Sequence, residues 1–279
     1  MADGWLTNWL SGLSLAGVTI AMFGTMVLAA FAGHAIRRVQ QRRANGAEQV
    51  DHSQENYLVG SMLGLLALLL AFSFSLAVQR YEERRNLVIE EANAIGTSYL
   101  RSQLLDEPHR SRLSKLLIDY TDIRIKLGAA SSNQKADLAR NDRLLTEIWA
   151  AVMAARDSAN SHGTSTAIYI TFNELIDLDS ERKVARQLRV PVAVLLLLYA
   201  FLGLTAAVLG YVLEERRAWI GATFLFVLLA LYVGIIIDLN RPTSGNITES
   251  QDPMLMLRQS LQAQPPQVFD QLVAAGAHP

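Results

Sequence analysis

Four stretches of the chain are almost free of formal charge: Leu13 to Ile36, Tyr57 to Val78, Val190 to Leu213 and Trp219 to Ile237, of 24, 22, 24 and 19 residues. At about 1.5 Å per helical residue each covers the ~30 Å hydrocarbon core of a bilayer. A backbone in lipid must satisfy its own hydrogen bonds, so such runs are helices. The pattern predicts an all-α integral membrane protein with four transmembrane helices. Ala30-Phe31-Ala32 resembles a small-residue cleavage site, but the first run is longer than a signal-peptide core and the preceding residues hold Asp3 and no base. It is therefore expected to stay as a resident span.

Between the second and third runs, Gln79 to Arg189 carries 17 basic and 16 acidic residues. This segment reads as a helical bundle. Leu113, Leu116, Leu117, Tyr120, Ile123 and Leu127 recur at three- and four-residue steps, as do Leu145, Ile148, Trp149 and Val152, and then Ile168, Phe172, Leu175 and Ile176. Asp106-Glu107-Pro108 marks a helix start with Asp106 as cap, and the stretches 128–133 and 160–164 are breaks. No strand pattern competes. Tyr81 to Leu105 holds one Gly and no Pro, so the second span is expected to run on as helix. The predicted organisation is a tail (1–12), two spans with a basic connecting loop (13–78), a helical domain continuous with the second and third spans (79–189), two further spans (190–238) and a C-terminal tail (239–279).

Composition narrows the function. The chain of 279 residues is 51% hydrophobic and 18% charged, below the roughly one quarter charged of a globular domain. A net charge of −1 removes the electrostatic case for nucleic-acid binding, and the absence of Cys excludes disulfides and thiolate metal sites. Phosphate-loop, dinucleotide, zinc-protease and nucleophile-elbow motifs are absent. His34, His52, His109, His162 and His278 are never within one helical turn of each other, so no metal site is expected. Glu82-Glu83, Glu90-Glu91 and Glu214-Glu215 are adjacent pairs, and neighbours on a helix point in different directions. Neither a catalytic residue nor a cofactor is predicted; the chain does not read as an enzyme.

The second span with its extension is the most informative stretch. At 100° per residue Gly60, Gly64, Ala67 and Ala71 fall on one side, a close-packing signature for membrane helices. Beside them runs a second stripe: Ser61, Leu68, Phe72, Ser75, Gln79, Glu82, Asn86, Glu90, Asn93 and Thr97. Met62, Leu66, Leu69 and Leu76 lie opposite and suit lipid. The stripe has two readings. Its polar groups can bond to other helices of the same subunit, or it can line a wet path around a symmetry axis, narrowed at Leu68 and Phe72 and wetted through Ser75, Gln79, Glu82 and Asn86. In the third span Gly203, Ala207 and Gly210 form another small-residue packing face. After the fourth span, Asp238 to Pro242 reads as an ion pair or helix-ending turn rather than a transport site, because interfacial charges are cheap.

Three blocks carry a resemblance: Arg80 to Gly96, Asn173 to Arg186 ahead of Val190-Pro191, and Asp238-Leu-Asn-Arg-Pro242 followed by Gly245. In this order they resemble the prokaryotic bestrophin-like membrane proteins, a domain of unknown function, over about Leu13 to Leu261. Asn240 departs from the acid more usual in that family's last block. The resemblance implies a bestrophin-like layout: four spans per subunit, a large helical domain between the second and third, and a pentameric ion channel whose second helix lines the pore. A neck of apolar residues then corresponds in role to Phe72 and Leu68. The implied partners are the lipid bilayer, further copies of the chain and inorganic ions.

Orientation is open. Arg37, Arg38, Arg42 and Arg43 in the first loop and Arg216 and Arg217 in the last place both loops in the cytoplasm and the middle domain outside. The bestrophin layout places that domain inside, which suits Arg84, Arg85, Lys183 and Arg189 close to the membrane. The first functional reading is a homo-oligomeric ion channel, multi-pass in the inner cell membrane. The alternative is a membrane sensor or scaffold whose helical domain binds a ligand or partner without conduction.

Overall fold

The computed structural model describes residues 14–43, 52–129, 133–156, 162–242 and 245–276. The N-terminal tail, most of the first connecting loop and His278 lie outside them. The described residues form helices α1 (Leu15–Arg43), α2 (His52–Ser102), α3 (His109–Gly128), α4 (Gln134–Ala154), α5 (His162–Gln187), α6 (Val192–Val212), α7 (Arg216–Leu239), α8 (Asp252–Ala263) and α9 (Pro266–Gly276). Four helical stretches are long and apolar enough to cross a bilayer. The fold is all-α, and the chain is a membrane protein.

Helix α2 runs for 51 residues without a break, and neither Pro nor a glycine cluster interrupts it. The junction before the third span differs. Residues 188–191 are not helical, because Pro191 has no amide proton to give and drives the residue before it toward extended backbone. The freed Val190 amide donates to Asn240 Oδ1 at 2.8 Å.

The chain divides into two compact units. The first comprises residues 1–81 and 189–248. Its core joins Met22, Met26 and Ala30 of α1, Leu66 and Leu70 of α2, Leu198 and Leu202 of α6, and Phe226 and Ala230 of α7. Helices α1 and α6 approach until their backbones touch. A Cβ on Gly33 would overlap the Ala207 carbonyl oxygen, and one on Gly210 would overlap that of Ala30. Small residues permit this approach, and dispersion and interhelical packing hold it where lipid supplies no hydrophobic drive. Arg37, buried at the end of α1, donates to the carbonyl oxygens of Tyr211 (2.8 Å) and Val212 (3.1 Å) and pairs with Glu214 (2.5 Å) and Glu55 (3.4 Å). It thereby satisfies the carbonyls that the end of α6 leaves without helical partners.

The second unit comprises residues 82–188 and 249–279. Leu113, Leu117, Tyr120 and Ile123 of α3, Ile148 and Val152 of α4, and Ile168, Phe172 and Leu175 of α5 are buried in one core, the positions that the helical periodicity marks. Met254 and Leu261 of α8 complete it. The stretch 252–276, which the sequence reading leaves as tail, is thus largely helical. Helix α3 starts after Pro108, and the Glu107 carboxylate accepts the Ser111 amide (3.2 Å) and hydroxyl (2.8 Å).

Candidate functional site: the open face of α2

Helix α2 has one packed face and one open face. Leu66, Leu70, Ser73 and Ala77 are buried in the first unit; Arg84, Val88, Glu91, Ile95 and Tyr99 are buried in the second. The residues of the stripe all stay at the surface of the chain: Leu68 (51% exposed), Phe72 (61%), Ser75, Gln79, Glu82, Asn86, Glu90, Asn93 and Thr97. Among the described residues of a single chain the stripe is therefore not consumed by intramolecular packing. The face opposite it, expected to suit lipid, is mixed: Leu66 is 1% exposed, Met62 and Leu69 are half-buried, and Leu76 is exposed. An apolar face carries the same residues whether protein or lipid covers it, so periodicity alone does not separate the two.

The small residues divide in the same way. Beyond the glycine's own stretch of helix, no atom of the described residues lies within 4 Å of the position a Cβ would take on Gly60, Gly64 or Gly203, and Ala67 and Ala71 are exposed. Ala207 and Gly210 serve the α1–α6 contact inside the subunit. Only part of the predicted packing set is thus occupied within one chain.

Glu90 and Glu91 point apart, as adjacent helical residues must. Glu91 is fully buried; its oxygens meet Arg124 at 2.8 and 3.0 Å, accept the Tyr120 hydroxyl at 2.6 Å, and pair with Arg182. Burial pushes the Glu91 carboxyl up, but Arg124, Arg182 and the Tyr120 hydroxyl together outweigh it and hold the group below the usual carboxylate range. Burial, and then the neighbouring Glu91, drive Tyr120 well above its ordinary value, so it remains a donor. Arg124 continues to Asp179 at 2.8 Å, which also accepts Asn141 (2.9 Å) and pairs with Lys183 (2.6 Å). A second buried pair joins Arg84 to Glu249 at 2.8 Å. Arg186, beside it, is pushed down to about 10 by burial and by Arg182. The sequence reading missed these ties. The one available signal was that Glu91 shares a helical face with Leu87, Val88 and Ile95; its partners are 33 and 91 residues away.

Asp238 ends α7. Its carboxylate accepts the amides of Asn246 (2.8 Å) and Ile247 (3.0 Å), the helix-ending turn expected there. A Cβ on Gly245 would lie 2.6 Å from Asp238 Oδ1, which is why that position of the block is glycine.

Residues 23–254 match the model of the Bestrophin-like domain. No curated protein matches the sequence. Among solved structures, a variant of a bacterial bestrophin homologue from Klebsiella pneumoniae is similar at 17% identity, TM-score 0.66, covering 88% of this chain and 98% of that one. A second variant of the homologue reaches TM-score 0.69 at 16% identity, covering 90% and 98%. At these identities the likeness is one of fold. With the family match spanning most of its length, and the three sequence blocks falling on the α2 extension, α5 and the Asp238 turn, the chain belongs to the bestrophin-like family.

Proposed function

We propose that the chain is a subunit of a homo-oligomeric ion channel of the inner cell membrane, with an axial path lined by the open face of α2. The observation that carries this reading is that Leu68, Phe72, Ser75, Gln79, Glu82 and Asn86 form one unpacked stripe through the apolar span and beyond it. Polar groups in a membrane span are expensive against lipid and favourable against water or another copy. Leu68 and Phe72 supply the narrow apolar ring that dewets, and the polar positions beyond them hold water. Gly60, Gly64, Ala67 and Ala71, beside the stripe, leave room for a neighbouring copy to approach. Membership of the bestrophin-like family, and the fold shared with bestrophin homologues, support a channel over an enzyme. Five copies is the number the family implies.

Two measurements test the reading together. Light scattering of the protein in mild detergent should return the mass of a ring larger than a dimer, and reconstituted liposomes should pass ions. Phe72→Ala should raise that flux. A folded oligomer with no flux, unchanged by this substitution, would instead favour the sensor or scaffold reading.

A further inference from the structure

Within the second unit, Tyr99 of α2, Ser111, Ser114, Lys115 and Ile118 of α3, Leu261 and Gln262 of α8, and Pro265 and Pro266 after it line an open cleft of about 360 Å³. That volume lies in the range of small-molecule sites, roughly 300–1,000 Å³. Its polar groups are unevenly committed. The Tyr99 hydroxyl donates to the Gln264 carbonyl at 2.7 Å, and burial raises it, so it stays neutral. Ser114 accepts the Gln103 amide at 3.0 Å and Ser111 donates to Glu107 at 2.8 Å. Glu107 is engaged by Arg110 at 2.9 Å, and Arg110 by Asp270 of α9 at 2.6 Å. Lys115 is different: it is exposed and has no carboxylate partner among the described residues. Ile118, Leu261, Pro265 and Pro266 give the cleft apolar lining.

We infer that this cleft binds a small amphipathic monocarboxylate, its carboxylate at Lys115 and its hydrocarbon body against Ile118, Leu261, Pro265 and Pro266. The ammonium supplies the single point charge such a ligand needs, and Gln262, which also lines the cleft, brings an amide donor. The apolar lining gains by removing a short alkyl chain from water. A cationic ligand of the same shape meets Lys115 as a like charge, and a neutral one loses the ionic contact, so the site discriminates by sign.

The inference does not depend on conduction, and its test is a binding measurement. Calorimetric titration of the full-length protein in detergent with pentanoate should give a saturable isotherm with Kd below about 1 mM. Pentylammonium and pentanol should bind at least about tenfold more weakly. Lys115→Glu, a surface change that leaves the core untouched, should weaken pentanoate at least about tenfold and reverse the preference toward pentylammonium. Absence of saturable pentanoate binding, equal binding of the three probes, or pentanoate binding unaffected by Lys115→Glu would each overturn the assignment.

Discussion

The packed and open faces of α2 carry the same kinds of side chain in different company. Glu91, on the packed face, lies between two arginines and a tyrosine hydroxyl; Glu90, one residue earlier, faces outward. Ser73, on the packed face, gives its hydroxyl to the Leu69 carbonyl at 2.8 Å inside the first unit's core, whereas Ser75 is exposed. A residue's type therefore does not decide its contribution along this helix. What decides it is whether another element of the same chain has closed over it. The packed face holds stability, and the open face is left for water or for other copies.

Paired substitutions make that division measurable, and the largest contrast belongs to the two glutamates. Glu91→Gln leaves two buried arginines short of their counter-charge and should cost about 3–5 kcal/mol, seen as a lowered Tm or loss of folded protein. Glu90→Gln should stay within about 0.5 kcal/mol. Equal effects would erase the distinction between the faces.

Acid provides the same test without mutation. The Glu91 carboxyl titrates below its reference value of 4.5 in the folded chain, so its stabilising contribution is complete above that value and is lost as pH falls through the lower folded one. Unfolding of the wild-type helical domain, followed by circular dichroism, should steepen below about pH 4.5. The Glu91→Gln protein should lack this component of the pH dependence.

A smaller effect is expected from the glycines. Gly210→Leu drives a side chain into the Ala30 backbone and should cost about 1–3 kcal/mol or more, with reduced folded yield. Gly64→Leu meets empty space in the single chain, so subunit folding should persist while the oligomer weakens in light scattering. A Gly64→Leu protein with wild-type assembly would remove this face from the subunit interface.

The smallest stability change belongs to the stripe. Phe72→Ala should alter stability by less than about 1 kcal/mol, against the roughly 3–5 kcal/mol expected for a core Phe such as Phe172, while raising ion flux. Glu82→Gln should leave stability unchanged and lower the preference for cations. A large stability loss for Phe72→Ala without added flux would place that ring in a protein core.

The spans, the periodic core positions of α3 to α5 and the turn at Asp238 were legible because each is set by local chemistry. Lipid demands about twenty apolar residues in a row, and a helix face repeats every three or four positions. The stripe on α2 was legible as a pattern, but its exposure was not, since Leu66 and Phe72 look alike in a hydropathy profile and only one is covered. The Glu91 ties were hidden for a different reason. Arg124 of α3 and Asp179 and Arg182 of α5 reach one site because both helices fold back onto α2, and nothing local to α2 specifies that meeting. The cleft at Tyr99 likewise depends on where the C-terminal segment returns, which its own sequence does not state.

Arg37 also sets an order of events during synthesis. Its carbonyl partners at Tyr211 and Val212 are made 174 and 175 residues later, a delay on the order of ten seconds or more at ~5–20 residues per second. Until α6 emerges, the guanidinium near the end of α1 lacks those two acceptors. The final seating of the first span is thereby tied to the arrival of the third, so a chain truncated before α6 should carry an unfinished α1 that quality-control proteases can recognise.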